Sequence, residues 1–191
     1  MHTIVFDIET KNFFEDVGKN DPTLLDIALV AIHDSAADAY TSYLDSELSD
    51  LWPLIERVDA LVGFNSDHFD IPLLNKYYPG DLTTIKSVDI MKSVKDSLGH
   101  RLSLNNLAQA TLGRGKIADG LQASRWWKLG EIEKIRQYCI EDVRLTKELY
   151  DYALKHGKLI YRDGPDTREV SVDTTAWKDS SGHSMTHTLG F

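Results

Sequence analysis

Two carboxylates interrupt an otherwise apolar strand near the start of the 191-residue chain. Residues 4–10 are rich in β-branched and aromatic side chains, a pattern typical of a buried strand, yet they include Asp7 and Glu9. Alternate residues of a strand share a face, so both acids point one way, about 7 Å apart, while Phe6 and Ile8 point the other. Two such anions repel each other and resist desolvation, which favours a bound divalent cation. A pair of solvated acids at a strand end is the alternative that this segment leaves open.

Two further acids occupy comparable positions. Asp70 ends the segment 65–70, which follows a short apolar strand on the side where ligands gather in open α/β sheets. Asp142 follows Tyr138 by four residues, and this spacing places both on one face of a long predicted helix. Taken singly, Asp142 is more typical of a helix-surface acid and Tyr138 of a core aromatic. Together with the two acids of the first strand they form a pattern that has a low probability of arising by chance.

The elements that must position these residues predict an α/β protein. Strands expected at residues 25–32 and 39–44 form an antiparallel meander with the first strand. A strand at 60–64 pairs parallel to the first through a helix at 46–58, which Pro53 is expected to kink. The sequence therefore predicts a mixed central sheet flanked by helices.

The second half of the chain predicts mostly helices. The expected elements are a strand at 83–90, helices at 91–98, 103–112, 121–128 and 131–155, and a β-hairpin at 158–162 and 168–172. We expect one domain over residues 1–156, followed by a C-terminal hairpin and tail over 157–191. The Ser-, Thr- and His-rich stretch from residue 173 onward is expected to be partly disordered.

The charge distribution separates an acidic half from a basic segment. The net charge is −9, which argues against a protein that coats nucleic acid non-specifically. Residues 1–60 carry three Lys/Arg against thirteen Asp/Glu, whereas residues 92–136 carry nine against four. No apolar run approaches the roughly 20 residues that cross a bilayer. The single Cys139 excludes an internal disulfide. From the lack of a membrane-spanning run and of a disulfide we expect a cytoplasmic protein without a membrane partner.

The motifs, in their order, resemble a known family. Residues 6–10, residues 65–70 and the pair Tyr138 and Asp142 resemble the three exonuclease motifs of the DEDD superfamily, in its tyrosine-bearing DEDDy branch. These DnaQ-like proteins are 3′-to-5′ exonucleases with a ribonuclease H-like fold, and the resemblance covers about residues 1–156. Residues 101–116 also resemble the exonuclease domain of family B DNA polymerases. The resemblance thus implies a ribonuclease H-like fold with a C-terminal hairpin appended.

The resemblance implies a catalytic set of four acids and one tyrosine: Asp7, Glu9, Asp70, Tyr138 and Asp142. Two Mg²⁺ or Mn²⁺ ions are the implied cofactors, because hard divalent cations prefer oxygen ligands. Asp7 is implied to bridge both ions, Glu9 and Asp142 to hold the one on the nucleophile side, and Asp70 to support the other. Tyr138 is implied to orient the attacking water, since a phenol with a pKa near 10 is a poor base at neutral pH.

The implied substrate is a nucleic acid with a single-stranded 3′ end, either DNA or RNA. Candidate substrate contacts are Thr10, Asn65, Phe69, Arg114 and Lys116. Phe13 and Phe14 are further candidates for stacking on bases, although core packing is equally compatible with either ring. The flexible basic segment 113–116 is expected to expose its two cations to phosphates. A separate polymerase or helicase is a possible partner.

Two other functions remain open at this stage. One is a catalytically silent nucleic-acid-binding module, which has no need of the anionic cluster. The other is a structure-selective endonuclease of the same fold.

Overall fold

A five-stranded mixed sheet forms the centre of the protein. The computed structural model describes residues 1–116 and 121–179. The strands are β1 (Thr3–Thr10), β2 (Ile27–Asp34), β3 (Ala39–Leu44), β4 (Ala60–Gly63) and β5 (Lys86–Asp89). Their spatial order is β3-β2-β1-β4-β5, with β1 antiparallel to β2 and parallel to β4. This confirms the predicted α/β class and mixed sheet.

Eight α-helices surround the sheet within the described residues. They are α1 (Phe14–Val17), α2 (Trp52–Ile55), α3 (Asp70–Asn75), α4 (Ile90–Leu98), α5 (Leu104–Leu112), α6 (Leu121–Lys128), α7 (Ile132–His156) and α8 (Thr175–Lys178). Ser103 caps the N-terminus of α5, and Gly113 ends it in the left-handed conformation. None of the helices in these two ranges is both long enough and apolar enough to span a membrane.

Strand β1 separates two hydrophobic layers, because its side chains alternate. Ile4, Phe6 and Ile8 pack in the layer that includes α3, whereas Val5 packs in the layer formed by α4, α5 and α7. Asp7 continues the register of Val5 and therefore lies on the α7 side. β1 pairs with β4 only as far as Val5, so its acidic end extends beyond its parallel neighbour.

Three elements differ from the sequence prediction. The helix expected at 46–58 is a 3₁₀-helix (Asp45–Asp50) followed by the one-turn helix α2, whose start carries Pro53. Proline lacks an N–H and fits only the first turn of a helix, so it separates the two segments. The first residues of the strand expected at 83–90 instead belong to a 3₁₀-helix (Leu82–Thr84), and the strand itself is the shorter β5. The Asp81 carboxylate caps this 3₁₀-helix by accepting from the Thr83 backbone N–H. The polar segment 11–22, which the sequence predicts to be a loop, contains α1.

The C-terminal hairpin is present as β6 (Lys158–Asp163) and β7 (Asp166–Ser171). It packs against α5, and its inward side chains, among them Leu159 and Val170, join the same core as α7. Trp177 of α8 is buried and stacks on Tyr150, with ring centroids 5.5 Å apart, so this part of the expected tail is ordered. Residues 180–191 of that tail lie outside the described residues.

Candidate active site

The end of β1 and the middle of α7 bring the predicted acids together. Glu9 and Asp142 are buried, and Asp7 is partly buried between them. Asp70, the first residue of α3, is buried on the neighbouring side. Three of these acids, Asp7, Asp142 and Asp70, lie close enough to Glu9 to raise its pKa by repulsion. The structure therefore assembles all four predicted carboxylates at one place.

Burial is the main cause of the shifted pKa values in this cluster. It raises the pKa of Asp7 to about 7, and the negative charge of Asp142 adds to the effect. Burial also raises the pKa of Glu9 and of Asp70 well above the ordinary values, again with repulsion from Asp7. Buried acids that repel one another resist simultaneous ionisation, so the cluster favours a bound positive charge.

Lys116 supplies one positive charge within the cluster. Its Nζ lies 2.5 Å from Asp142 Oδ2 and 5.2 Å from the centroid of the Tyr138 ring. Burial lowers the pKa of the Lys116 ammonium, but attraction from Asp142 and Asp7 outweighs burial, so the pKa is raised overall. The expectation that Lys116 is exposed on a flexible basic segment is therefore wrong.

Tyr138 and Asp142 each keep an unpaired oxygen in this site. The Tyr138 side chain is fully buried. Within the described residues neither its hydroxyl nor Asp142 Oδ1 has a partner at good hydrogen-bond geometry, although the hydroxyl lies close to both Lys116 and Asp142. Burial, with repulsion from Asp142, raises the pKa of Tyr138 above its ordinary value. Buried polar atoms are usually satisfied, so these two oxygens indicate a place for a further ligand.

The donor set fits a divalent metal ion. Ligand atoms of Asp7, Glu9 and Cys139 lie within 4.8 Å of one another. The Cys139 thiol is buried and donates to Asp7, with Sγ 3.3 Å from the backbone oxygen and 3.4 Å from Oδ2. Burial raises the pKa of this thiol well above its usual range, so the protonated thiol supports Asp7 while the carboxylates offer the hard oxygen ligands.

Hydrogen bonds to Asp89 fix the loop between β4 and α3. The Asp89 carboxylate accepts from the backbone N–H groups of Asn65 (2.9 Å) and Asp67 (3.1 Å) and also caps α4 through the N–H of Lys92 (3.1 Å). Asn65 adopts a left-handed backbone with φ of 65°, which is uncommon outside glycine. Asp89 therefore fixes the loop that leads to Asp70.

Comparison with known proteins gives a family for this fold and site. A model of the RNase H superfamily matches residues 4–154, which include the four acids and Tyr138. The chain belongs to the RNase H superfamily. The family B DNA polymerase from the hyperthermophilic archaeon Pyrobaculum calidifontis has a similar structure, with a TM-score of 0.62 and 18% sequence identity. The match covers 81% of this chain but only 24% of the polymerase chain, and at this identity it shows the fold alone. No curated protein matches the sequence significantly.

Three predicted substrate contacts of this RNase H superfamily protein lie outside the acidic cluster, and they differ in the partners that their side chains have. Thr10 ends β1, and its hydroxyl donates to the Asn12 carbonyl at 2.9 Å. Asn65 lies in the loop that leads to Asp70, and its Oδ1 is buried without a partner in the described part of the chain. Phe69 packs edge-on against Phe14, with centroids 6.0 Å apart.

The sequence predicted that Arg114 is exposed to phosphates, but the structure shows its side chain in ion pairs. Its guanidinium forms ion pairs with Glu141 and Glu148 on α7, the latter at 2.5 Å. A planar guanidinium binds two carboxylates in a fixed geometry, so these pairs hold the end of α5 against α7. Its availability for phosphate is accordingly lower than the sequence suggested.

Sequence reasoning missed several residues that shape the site. In the sequence, Cys139 served only to exclude a disulfide and Asp89 was included only within the strand expected at 83–90, and no spacing pattern links either residue to the acids. Trp126 packs edge-on against Tyr138, with ring centroids 5.9 Å apart, and Ser124 donates to the Thr10 carbonyl at 2.8 Å. The basic segment containing Lys116 was noticed, but its spacing gave no indication that the lysine pairs with Asp142.

Proposed function

We propose that this protein is a metal-dependent 3′-to-5′ exonuclease of the DEDDy branch. Its substrate is a single-stranded 3′ end of DNA or RNA, from which it hydrolyses terminal phosphodiester bonds. The observation that carries the proposal is the convergence of Asp7, Glu9, Asp70 and Asp142 beside the unpaired hydroxyl of Tyr138. A module that only binds nucleic acid has no need of four mutually repelling acids, three of them buried.

Two divalent cations, Mg²⁺ or Mn²⁺, are the cofactors that the four carboxylates would hold. When bound, such ions supply an activated water and neutralise the negative charge that develops on the phosphate and the leaving oxygen. The carboxylates hold their places because β1, α3 and α7 are fixed by the two core layers. The Cys139 thiol orients Asp7 through its two contacts.

Tyr138 acts by orientation in this proposal. Its raised pKa keeps the phenol protonated at neutral pH, so the hydroxyl donates a hydrogen bond and does not abstract a proton. Trp126 packs against its ring and restricts its motion. The hydroxyl is thereby kept available for the attacking water or a phosphate oxygen.

Digestion of end-labelled oligonucleotides tests the proposal. Matched single-stranded DNA and RNA, each labelled at the 5′ end, are incubated with Mg²⁺ or Mn²⁺, and Asp7→Asn is the inactive control. A ladder that shortens from the 3′ end supports the exonuclease. Internal cuts would instead indicate an endonuclease, and binding without cleavage would indicate a silent binding module. A separate polymerase or helicase stays the predicted partner.

A further inference from the structure

Helix α6 is attached directly to the candidate active site. The Ser124 hydroxyl is buried and donates to the carbonyl of Thr10, the last residue of β1, at 2.8 Å. Two residues further along, Trp126 packs edge-on against Tyr138. These two contacts fix α6 relative to both the acidic end of β1 and the catalytic face of α7. Whatever the outer side of α6 binds is therefore positioned relative to the carboxylates.

The outer side of α6 and the segment after β1 alternate lysines with aromatic rings. Lys11 Nζ lies 4.7 Å from the centroid of the Trp127 ring, and Lys128 Nζ lies 5.3 Å from that of Phe13. Both rings are partly exposed, and 57% of the Lys128 side chain is exposed. We call these four residues, Lys11, Phe13, Trp127 and Lys128, the α6 patch.

The charges on the patch are only partly compensated. Lys11 pairs with Asp45 at 2.6 Å, while Lys128 is 3.7 Å from Asp16, at the limit of an ion pair. Arg125, on the preceding turn of α6, is exposed and forms no ion pair within residues 1–116 and 121–179. The three cations thus exceed their two acidic partners by one, which leaves a positive charge on the helix that contacts the acidic site.

Aromatic faces interleaved with cations are suited to one class of ligand, an unpaired polynucleotide. Each base offers a π-face that stacks on Phe or Trp, and each phosphate offers a negative charge to a neighbouring lysine. A duplex has its base faces stacked on one another, so it cannot offer them to the patch. An acidic protein surface would satisfy the lysines but would not stack on the partly exposed rings of Phe13 and Trp127.

We propose that the α6 patch binds unpaired nucleotides of the strand whose 3′ end lies at the carboxylate cluster. The patch thereby makes the protein selective for single-stranded 3′ ends over duplex ends. This inference rests on the proposed exonuclease function and names residues that would give its preference for single strands. It assigns a role to Trp127 and Lys128, for which the sequence motifs gave none.

Binding measurements on the full chain test the inference. A fluorescent oligothymidylate is titrated in Ca²⁺ against wild type, Trp127→Ala, Trp127→Phe and Lys128→Ala, with thermal melting to confirm folding. We expect Trp127→Ala to raise Kd about fivefold or more, because stacking one base on one ring is worth at least that factor. Trp127→Phe, which keeps a ring, should restore part of the affinity. Lys128→Ala should also weaken binding and reduce its dependence on salt.

The matched control is Trp52→Phe, because Trp52 packs against Tyr78 in the other hydrophobic layer. Its Kd for the oligonucleotide should equal that of wild type. Equal Kd values for wild type, Trp127→Ala and Lys128→Ala would overturn the inference, as would equal affinity of wild type for the oligothymidylate and a blunt duplex. If an acidic peptide competes with the oligonucleotide and Trp127→Ala leaves that competition unchanged, the patch is a protein-binding surface instead.

A separate assay distinguishes failure of the inference from failure of the proposed function. Wild type is incubated with Mn²⁺ and the p-nitrophenyl ester of thymidine 5′-monophosphate, which has one nucleotide and therefore no further unpaired nucleotides for the patch to bind. Absence of hydrolysis of both this ester and oligonucleotides overturns the exonuclease and, with it, this inference. If wild type hydrolyses both substrates but the patch variants bind the oligonucleotide as tightly as wild type does, only the inference about the patch is overturned.

Discussion

The ammonium group of Lys116 lies 2.5 Å from the carboxylate of Asp142, inside the cluster of acids that the sequence motifs identified. Only 2% of the Asp142 side chain is exposed, against 24% for Lys116. A lysine in this place provides the positive charge that the acids require when no metal ion is bound. It also occupies part of the space around Asp142 Oδ2 that a metal ion would need. Lys116 and a divalent ion should therefore compete.

Replacing Lys116 with methionine should strengthen metal binding. Lys116→Met removes a positive charge in direct contact with Asp142, so we expect the Kd for Mn²⁺ to fall about tenfold or more. In metal-free buffer the same variant should be less stable by roughly 1–3 kcal/mol, since Asp142 loses its partner. Mn²⁺ titration followed by electron paramagnetic resonance, together with urea unfolding in EDTA, measures both effects.

Lys92→Met is the matched control for this experiment, because Lys92 pairs with Asp67 at 3.2 Å on the surface. It should change neither Mn²⁺ affinity nor stability by more than about 0.5 kcal/mol. An unchanged Mn²⁺ affinity in Lys116→Met would show that the lysine leaves the metal ligands accessible.

Asp7 and Asp142 should differ in how their loss affects stability, although the loss of either should abolish nuclease activity. Asp7→Asn removes one anion from a repelling cluster, so the metal-free protein should be as stable as wild type or more stable. Asp142→Asn leaves the mostly buried Lys116 without its partner and should cost roughly 1–3 kcal/mol. Urea unfolding in EDTA at pH 7.5 distinguishes the two variants. Equal destabilisation of both would mean that Asp7 also has a structural role.

The stability of the metal-free protein should decrease as pH rises from about 5 to about 7.5. Burial raises the pKa of Asp7 to about 7, whereas an unfolded aspartate titrates near 4. Between these values the folded state binds a proton that the unfolded state has lost, so each such group lowers the unfolding free energy by up to about 1.4 kcal/mol per pH unit. Asp7→Asn should flatten the slope, and saturating Mn²⁺ should remove most of it. A slope identical in wild type and Asp7→Asn would exclude Asp7 as its source.

Local patterns predicted the strands of the sheet and the faces on which the acids lie, whereas a catalytic role for these acids was implied only by the family resemblance. The alternation around Asp7 and the i, i+4 spacing of Tyr138 and Asp142 are properties of single elements, which periodicity determines. The contacts of Lys116 and Asp89 depend on how a loop folds onto elements distant in sequence. Lys116 reaches Asp142 across 26 positions, and nothing in the local sequence distinguishes it from a surface lysine.

Tyr138→Phe should reduce activity less than loss of any of the four acids. The hydroxyl orients groups but holds no metal ion, and a water molecule can partly replace it. Since the hydroxyl has no partner in the described part of the chain, its removal should leave the melting temperature unchanged or slightly higher. Single-turnover cleavage with Mn²⁺ and thermal melting are the two measurements. Complete loss of cleavage, as in Asp7→Asn, would make the hydroxyl indispensable.

Asp89→Ala should disturb the site without touching a metal ligand. The carboxylate accepts from three backbone N–H groups, and losing them should cost about 2–3 kcal/mol, at roughly 1 kcal/mol for each bond. Two of the three donors belong to Asn65 and Asp67, which precede Asp70 in the loop, so Asp70 should shift. A small displacement of a catalytic group can cost as much as about a hundredfold in rate, and we expect a reduction of at least about tenfold in kcat.

Two variants separate this effect from general loss of stability. Asp89→Asn keeps one acceptor oxygen and should recover part of both the stability and the rate, whereas Asp96→Ala removes an exposed acid from the same region and should change neither. Rates are measured well below the melting temperature of each variant, so that the folded fraction is equal. If Asp89→Ala melts earlier but cleaves at the wild-type rate, the loop keeps its geometry without Asp89, and the residue only caps α4. If the rate falls and Asp89→Asn restores it, the carboxylate positions Asp70 through the Asn65 loop.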